Sequence, residues 1–547
     1  MTNLKVLPLG GNAAVTKNLY LYEYGRYQLI VDCGIGFPPT PYFGIDVLIP
    51  DFTYLKDSRK KIVGVILTHG HDDHIAALPY LLAELGPLPV YASPLTAAFA
   101  QVILKDFQID QKIQVIDEDD RLTLGPFVVE TIHVTHSVPD TRHLLIHTPV
   151  GTLYHGTDFK FDLTPVDGRP PNFQKIAQAG ANGVLCLLSD CLRADKPGFS
   201  LSESLVKESL QREIRGCQGK FIVTTMSSNI HRIQQAVEVA LADHRKVAFV
   251  GRSLEQNIKS ALAAGFLNIP RQAIIKKQAI RRYPSKKLCI VIAGCQAQPD
   301  SSLVRLAQND YPHFRLEPQD KVVFSADPIP GNEQRIHELI DQLLLQNVEV
   351  SYSEIIDDLH ISGHASAEDL KLLIQLLKPR YLVPIGGTYR HLYQYAQLAQ
   401  QLGYSKETIF LLKEGETLEF SPQGKAFFGP KLSLKQVIVD GTRVGDVGPV
   451  VLADRQRLAS DGVVVVIIPC DQQGRPRSPQ IISRGFVFMK KATVLVNAIK
   501  QQVESLYPPE GLKDFGRFTQ QVEKHLSAFL FEETGRQPLI LPLVVKI

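Results

Sequence analysis

Within six consecutive residues, His69 to His74, the chain places three imidazoles and two carboxylates: His69, His71, Asp72, Asp73 and His74. A lone histidine is most often a satisfied core or surface residue, but a cluster of this density is hard to explain as structure. Neutral imidazole together with carboxylate is the donor set that a borderline ion such as Zn²⁺ selects. The H-x-H-x-D-H spacing therefore reads as a metal-binding turn. From the end of a strand, His69 and His71 can point to one side while Asp73 and His74 turn toward a second ion.

The elements that must position these side chains are legible around them. The apolar run Ile62 to Leu67 reads as a buried strand leading into the cluster. Earlier strands are expected at Leu4–Leu9, Tyr20–Tyr24 and Tyr27–Val31, the last closing at Asp32, which can orient a metal ligand from behind. The apolar spacing of Ile75 to Leu85 predicts a helix. Val128 to Val134 predicts another strand ending at His136, and a further strand begins at Gly151, with His155-Gly156-Thr157-Asp158 after it. A polar ligand type thus recurs at strand ends at Asp32, His69–His74, His136 and Asp158. If the strands share one sheet, these loops converge at its edge.

Composition sets the bounds. A chain of 547 residues, 44% hydrophobic and 21% charged, is ordinary globular protein of two to four domains. The longest apolar runs, such as Gly462 to Ile468, are strand length and too short to span a bilayer. The N-terminus enters a strand directly, without the regions of a signal peptide. Seven scattered cysteines, an odd number without a C-x-x-C pair, predict reduced thiols in a cytoplasmic protein and no Cys-based zinc site. A net charge of +3 does not announce a nucleic-acid binder. One stretch departs from this: Arg271 to Lys287 carries Arg271, Lys276, Lys277, Arg281, Arg282, Lys286 and Lys287 with no acidic residue. It reads either as solvated surface or, for a polyanionic substrate, as an electrostatic capture site.

H-x-H-x-D-H, then an isolated His136, then an isolated Asp158, resembles the motif order of the metallo-β-lactamase fold. The nearer likeness is to the ribonuclease J family, of the β-CASP group. It is carried by Gly44 to Asp51, Leu67 to Tyr80, His136 to Asp140, Asp158 to Asp162, Leu187 to Asp190, Ser227 to Arg232, Pro328 to Glu333 and His360 to His364, and it runs from about residue 4 to 547. The resemblance implies an α/β fold: an αββα metallo-β-lactamase sandwich (1–204 and 356–425) interrupted by a β-CASP α/β domain (205–355). A linker (426–436) and a small α/β C-terminal domain (437–547) would follow. The alternation of helix and strand after Ser202 independently suggests a parallel α/β unit there.

The resemblance implies a metal-dependent ribonuclease, a 5′-to-3′ exonuclease with endonuclease action as a second mode, in which hydroxide on the metal attacks the phosphodiester of single-stranded RNA. His69, His71 and His136 would hold the first ion, Asp73 and His74 the second, and Asp158 both; the ions would be Zn²⁺, one or two per chain, or Mn²⁺ or Mg²⁺. Asp32 would stand behind the ligands, and Asp73 and Asp190 would be catalytic carboxylates. His364 would protonate the leaving oxygen or stabilise its charge. Ser366, with Asp369 three positions on, is the better N-cap for the following helix, which leaves His364 free. Ser228, Asn229, Ser362, Gly363, His364 and Ser366 would cradle the terminal phosphate, while Arg232 reads equally well as the partner of an acid. The partners implied are RNA and a homodimer or homotetramer formed through the C-terminal domain, or a hetero-oligomer with a second ribonuclease J, and no membrane.

One departure bears on all of this. Where the family has P-[VI]-H-G-E-Y-R, this chain has Pro384-Ile385-Gly386-Gly387-Thr388-Tyr389-Arg390, with Gly386 for the last metal-binding His and Thr388 for the Glu. His391 would have to reach back over a turn to replace it, and water is the easier substitute. The second ion is therefore expected to be weakly held or absent. Loops at Gly10–Val15, His155–Asp158 and Gly294–Pro299 also differ from the family pattern. The competing expectation is a weakly active or inactive paralogue that binds RNA or partners an intact ribonuclease J.

Overall fold

The computed structural model describes residues 2–38, 44–329, 331–441, 443–444, 448–487 and 493–547. Pro330, inside the Pro328–Glu333 motif, and Asp446-Val447, at the expected start of the C-terminal domain, lie outside the described residues. The chain forms two compact units, Met1–Phe37 with Leu48–Val437, and Pro38–Val47 with Ile438–Ile547.

The first unit is built on two sheets that face one another. Strands β1 (Leu4–Gly10), β2 (Leu19–Tyr24), β3 (Tyr27–Val31) and β4 (Lys61–Leu67) form the middle of an eight-stranded sheet. Helices α1 (Leu78–Leu85) and α2 (Pro94–Asp106) follow β4. Strands β5 (Phe127–His133), β6 (Arg142–His147), β7 (Thr152–Gly156) and β8 (Cys186–Asp190) belong to a six-stranded sheet. Side chains alternate across a strand, and the second sheet shows it. Leu144, Ile146, Leu153, Cys186 and Leu188 pack toward Val6, Tyr22, Leu29 and Ile66 of the first sheet. Their neighbours Leu145, Tyr154 and Leu187 pack outward against helices. Sheet on sheet with helices outside is the αββα sandwich.

After β8 the chain enters an all-parallel sheet. Strands β9 (Phe221–Thr224), β10 (Lys246–Val250), β11 (Ile274–Ile275), β12 (Leu288–Ile292), β13 (Lys321–Phe324) and β14 (Glu349–Ser351) lie in the order β11-β10-β12-β9-β13-β14. Its strands are apolar on both faces because helices cover both, as parallel sheets require. Helices α3 (Ile230–Ala242) and α4 (Arg252–Ala263) belong to this insertion. The chain then returns to the sandwich through α5 (Ala367–Leu377), β15 (Tyr381–Ile385) and α6 (Tyr389–Gln401), with β15 paired parallel to β8.

The second unit centres on β16 (Val463–Cys470), flanked by β17 (Gln480–Arg484) and by β18 (Leu539–Lys546). Alternate residues of β16, namely Val464, Val466 and Ile468, are buried against α7 (Thr493–Glu504) and α8 (Phe515–Thr534), whose Val503, Val522 and Leu526 meet them. No helix of the described residues is long and apolar enough to cross a membrane, and all seven cysteines are free thiols.

The structure corrects three expectations. Helix α1 starts at Leu78, not Ile75, because His71 already initiates a separate turn, Asp72–Ile75, and Pro79 sits in the first turn of the next helix. His155 and Gly156 lie inside β7 rather than in the loop after it. The ligand-type loops come from two sheets rather than one, Asp32 and His69–His74 from the first and His136, Asp158 and Asp190 from the second. Period-2 strands look the same whichever sheet they join.

Candidate metal centre

The site begins with Asp32, just past β3. Its carboxylate accepts from the Thr68 backbone N–H (2.8 Å), the Thr68 hydroxyl (2.9 Å) and His74 Nδ1 (2.8 Å). The ends of β3 and β4 are thereby tied to the turn that follows. Thr68 in turn places its hydroxyl 3.0 Å from His69 Nδ1.

Three imidazoles then converge. His69 Nε2 and His136 Nε2 each lie 3.1 Å from His71 Nδ1, and Asp158 Oδ2 lies 3.6 Å from the first and 3.7 Å from the second. The far nitrogen of each ring has an oxygen partner: Thr68 Oγ1 for His69, Ser137 Oγ for His71 (3.2 Å) and the Gly363 carbonyl for His136 (2.7 Å). The Gly363 carbonyl can only accept, and the Thr68 hydroxyl gives its proton to Asp32, so His136 and His69 carry their protons on the far nitrogens and turn lone pairs inward; the Ser137 hydroxyl can accept from His71 in the same way. Burial lowers the pKa of all three rings, that of His71 to about 3, so they are neutral. Tetrahedral ligands 2.0–2.1 Å from Zn²⁺ stand roughly 3.3 Å apart. The four donors of His69, His71, His136 and Asp158 fit a divalent cation.

The neighbouring locus is less complete. His74 Nε2 lies 3.4 Å from Asp158 Oδ2 and 3.8 Å from Asp73 Oδ2. It also lies 3.0 Å from Asn18 Nδ2, which itself reaches the Asp73 carbonyl (3.2 Å) and Oδ2 (3.4 Å). Burial pushes the Asp73 carboxyl up to about 6 against the pull of His74. Burial lowers the His74 pKa, but Asp158, Asp32 and Asp73 outweigh it and raise it well above the usual value. Among the described residues two groups of three or more donors converge, His69–His71–His136–Asp158 and Asp158–Asp190–His364; Asp73 and His74 belong to neither.

Gly386 stands at this second locus. Its φ is +70°, and a Cβ built there would meet only Asp158 Oδ1 at 3.7 Å and Asp190 Oδ1 at 3.8 Å. The position aims at the carboxylates and has room. Thr388 is the N-cap of α6, and its backbone N–H donates to His391 Nδ1 (3.2 Å), so His391 is spent on the cap.

His364 Nδ1 is 2.9 Å from Asp190 Oδ2, and its Nε2 is 4.0 Å from Asp158 Oδ2. Burial alone would lower its pKa, but Asp190 and Asp158 raise it to about 9. Its side chain keeps 21% of its surface open, while those of His69, His74 and His136 keep at most 2%. Ser366 caps α5 in a box with Asp369, and its hydroxyl also accepts from Ser200. Ser362 accepts the His364 backbone N–H. Gly363 is required by close approach, since a Cβ there would lie 2.7 Å from His136 Nδ1.

Ser228 and Asn229 follow β9, and Asn229 caps α3 through the Arg232 N–H (3.0 Å). No hydrogen bond among the described residues joins either to the histidines. Arg232 is fully buried, paired with Glu203 and donating to the Ser325 and Ile361 carbonyls. It ties the inserted sheet to the segment that carries His364. Asn18 and Ser137 were not singled out from the sequence. Asn18 carries no signal beyond being a polar residue at the start of a strand, whereas Ser137 adjoins a marked histidine.

Four family models match the chain: metallo-β-lactamase superfamily (residues 14–179), ribonuclease J β-CASP domain (218–343), Zn-dependent metallo-hydrolase RNA specificity domain (348–411) and ribonuclease J C-terminal domain (450–547). Ribonuclease J 1 of Streptococcus pyogenes serotype M3 is 35% identical over 100% of this chain and 99% of its own. Ribonuclease J2 of Bacillus subtilis is 33% identical over 100% and 99%. Ribonuclease J of Helicobacter pylori is 34% identical over 98% and 79%. A crystal structure of a protein of unknown function from Enterococcus faecalis shares the fold at a TM-score of 0.55 and 15% identity, covering 76% of this chain and 100% of that one.

Proposed function

We infer, because this chain belongs to the ribonuclease J family and is thereby a metal-dependent ribonuclease-type hydrolase, that it degrades single-stranded RNA from its 5′ end. Each cut leaves a 5′-phosphate on the downstream fragment, and endonuclease action uses the same site. One observation supports the reading: three neutral imidazoles, buried at His69 and His136 and half-buried at His71, converge on one point while an oxygen behind each ring holds the other nitrogen.

His69, His71 and His136 would hold a divalent ion with Asp158. When bound, the ion supplies Lewis acidity toward water and toward a phosphoryl oxygen. Zn²⁺ suits the ligands best, and Mn²⁺ or Mg²⁺ can substitute. His364 is the proton donor to the leaving oxygen: Asp190 fixes its Nδ1, which leaves Nε2 facing the cluster. Asp73 and His74 would hold a second ion weakly, because Gly386 offers no ligand. Ser362, Gly363 and Ser366 shape the segment beside His136 that carries His364, and Ser228 and Asn229 would meet the terminal phosphate from the inserted domain.

We place the protein in the cytoplasm, in keeping with seven free thiols. Self-association through the C-terminal domain is supported by its uncovered strand face, where Ile482, Leu541, Leu543 and Val545 are exposed. A second ribonuclease J is the other partner that this face would suit.

A second reading rests on Gly386 and Thr388: a weakly active or inactive paralogue. The two separate on 5′-monophosphorylated single-stranded RNA with Mn²⁺, Mg²⁺ or Zn²⁺. Cleavage that disappears in His71→Ala supports the enzyme. An inert protein that gains cleavage as Gly386→His identifies the lapsed site.

A further inference from the structure

The reaction leaves unused the strongest concentration of charge in the first unit, seven cations and no acid between residues 271 and 287. Six of them fall as adjacent pairs, Lys276–Lys277, Arg281–Arg282 and Lys286–Lys287, five residues apart. The stretch folds as short 3-10 turns, Lys277–Arg282 and Ser285–Lys287, between β11 and β12.

Its path follows from the topology. β11 is the edge strand of the inserted sheet, and β10, β11 and β12 are parallel. The connection therefore leaves this edge and crosses β10 to reach the N-terminal end of β12, anchored by Ile280, which is buried with Ala248, Leu288 and Ile290, while its cations stay on the outer side. The C-terminal rim is the one that carries Ser228 and Asn229 after β9, and where Arg232 reaches Ile361 on the way to His364. Lys277 starts the crossing there, paired with Glu255 (2.6 Å) in the first turn of α4.

The other cations of the stretch have no carboxylate partner among the described residues. Arg281 donates to the Pro312 carbonyl (3.1 Å), which fixes its position without neutralising it. Tyr283, 37% exposed, presents a ring in the middle of the stretch. Lysine on an edge strand also blocks edge-to-edge pairing, but Lys276 alone would serve a strand of two residues. A row of unneutralised cations repels itself, and a polyanion relieves that repulsion.

We propose that this stripe of cations is a second RNA-binding surface, which holds the phosphate backbone of the substrate beyond the cleft without reading its sequence. The proposal rests on the RNA-degrading reading above.

The test uses the full chain with Lys276, Arg282, Lys286 and Lys287 changed to Gln. A control carries Gln at Lys56, Arg121, Lys371 and Lys431, each now paired with a glutamate. Both lose four charges. Binding of a 40-nucleotide single-stranded RNA is read by fluorescence anisotropy in EDTA across a salt series, and cleavage of a 5-nucleotide 5′-phosphorylated RNA is read with Mn²⁺. The stripe variant should bind the 40-mer on the order of tenfold more weakly at 0.1 M salt, with a log–log salt slope shallower by about 2 to 3, as four lost phosphate contacts on a single strand imply. Cleavage of the 5-mer should stay within about twofold of the unsubstituted protein. Equal weakening in stripe and control variants, or unchanged 40-mer binding, overturns the proposal. So does retained RNA binding with lost binding to phosphatidylserine vesicles, which would assign the stripe to a lipid surface. Failure of the unsubstituted protein to cleave the 5-mer counts against the RNA-degrading reading, while the 40-mer arm still decides the stripe.

Discussion

Two loci proposed to hold ions share Asp158 and differ in how they are finished. At the first, His69, His71 and His136 bring neutral nitrogens to 3.1 Å separations, and each ring is anchored from behind. At the second, Asp73 and His74 stand 3.8 Å apart, an Asn18 amide lies against His74, and Gly386 supplies nothing. The first is a preorganised cage. The second is a half-cage, with the Asn18 amide against the nitrogen that His74 would offer. Ligand type alone does not make a site; the donors must also converge.

The largest effect that sets the loci apart is His71→Ala. Loss of the central imidazole should remove the ion and lower cleavage on the order of 10³-fold or more, while Asp73→Ala should cost about tenfold or less. Metal content and single-turnover rates measured side by side check this, and equal losses would erase the distinction.

His364→Gln comes next. Removing a positioned proton donor typically costs on the order of 10² to 10⁴ in rate, and the ion content should not change. The sign of the pH dependence follows from the raised pKa. The imidazolium is favoured in the folded protein, so its stabilising contribution is complete below the unfolded value of about 6.5 and is lost as pH rises through about 9. Activity should also fall as pH rises through the His364 pKa, which Asp190 still raises when a cation offsets Asp158, and show no such limb in the variant.

Asp32→Asn probes what the loci have in common, since Asp32 holds Thr68 behind His69 and also holds His74. An outer partner of this kind is worth roughly 10- to 100-fold in ion affinity. Competition with a chromophoric chelator measures it. A loss confined to activity, with affinity intact, would mean that Asp32 acts on chemistry rather than on the cage.

The first locus was legible because its donors sit in a contiguous motif and at strand ends, where type and spacing survive as sequence. The helix cap at Ser366 was legible for the same local reason. The anchoring of His136 was not, because its partner, the Gly363 carbonyl, lies 227 residues away. Asn18 escaped for the same reason, being 56 residues from His74. The sandwich of two sheets was legible through resemblance, but which strands enter which sheet was not. Alternation along a strand says which residues share a face, not which sheet the strand enters. Likewise the continuous apolar run Val463 to Ile468 hid an alternation of covered and half-covered residues.

The smallest effect falls at Gly386, and it separates backbone strain from coordination. Gly386 has φ +70°, where a Cβ costs about 1–2 kcal/mol through backbone sterics, and no atom lies close enough to add a clash. Gly386→Ala should therefore lower stability by about 1 kcal/mol, with one ion per chain before and after. Gly386→His carries the same strain but aims a donor at Asp158 and Asp190. An ion bound only by the folded state at a hundred times its Kd stabilises by about 2.7 kcal/mol, more than the strain takes away. The His variant should thus melt below the unsubstituted protein in chelator and above it in excess Zn²⁺, while the Ala variant stays below in both. Two ions retained by the unsubstituted protein through dialysis would show that the half-cage closes without residue 386. A His variant that follows the Ala variant at every Zn²⁺ concentration would show that Asp73 and His74 no longer form a ligand pair.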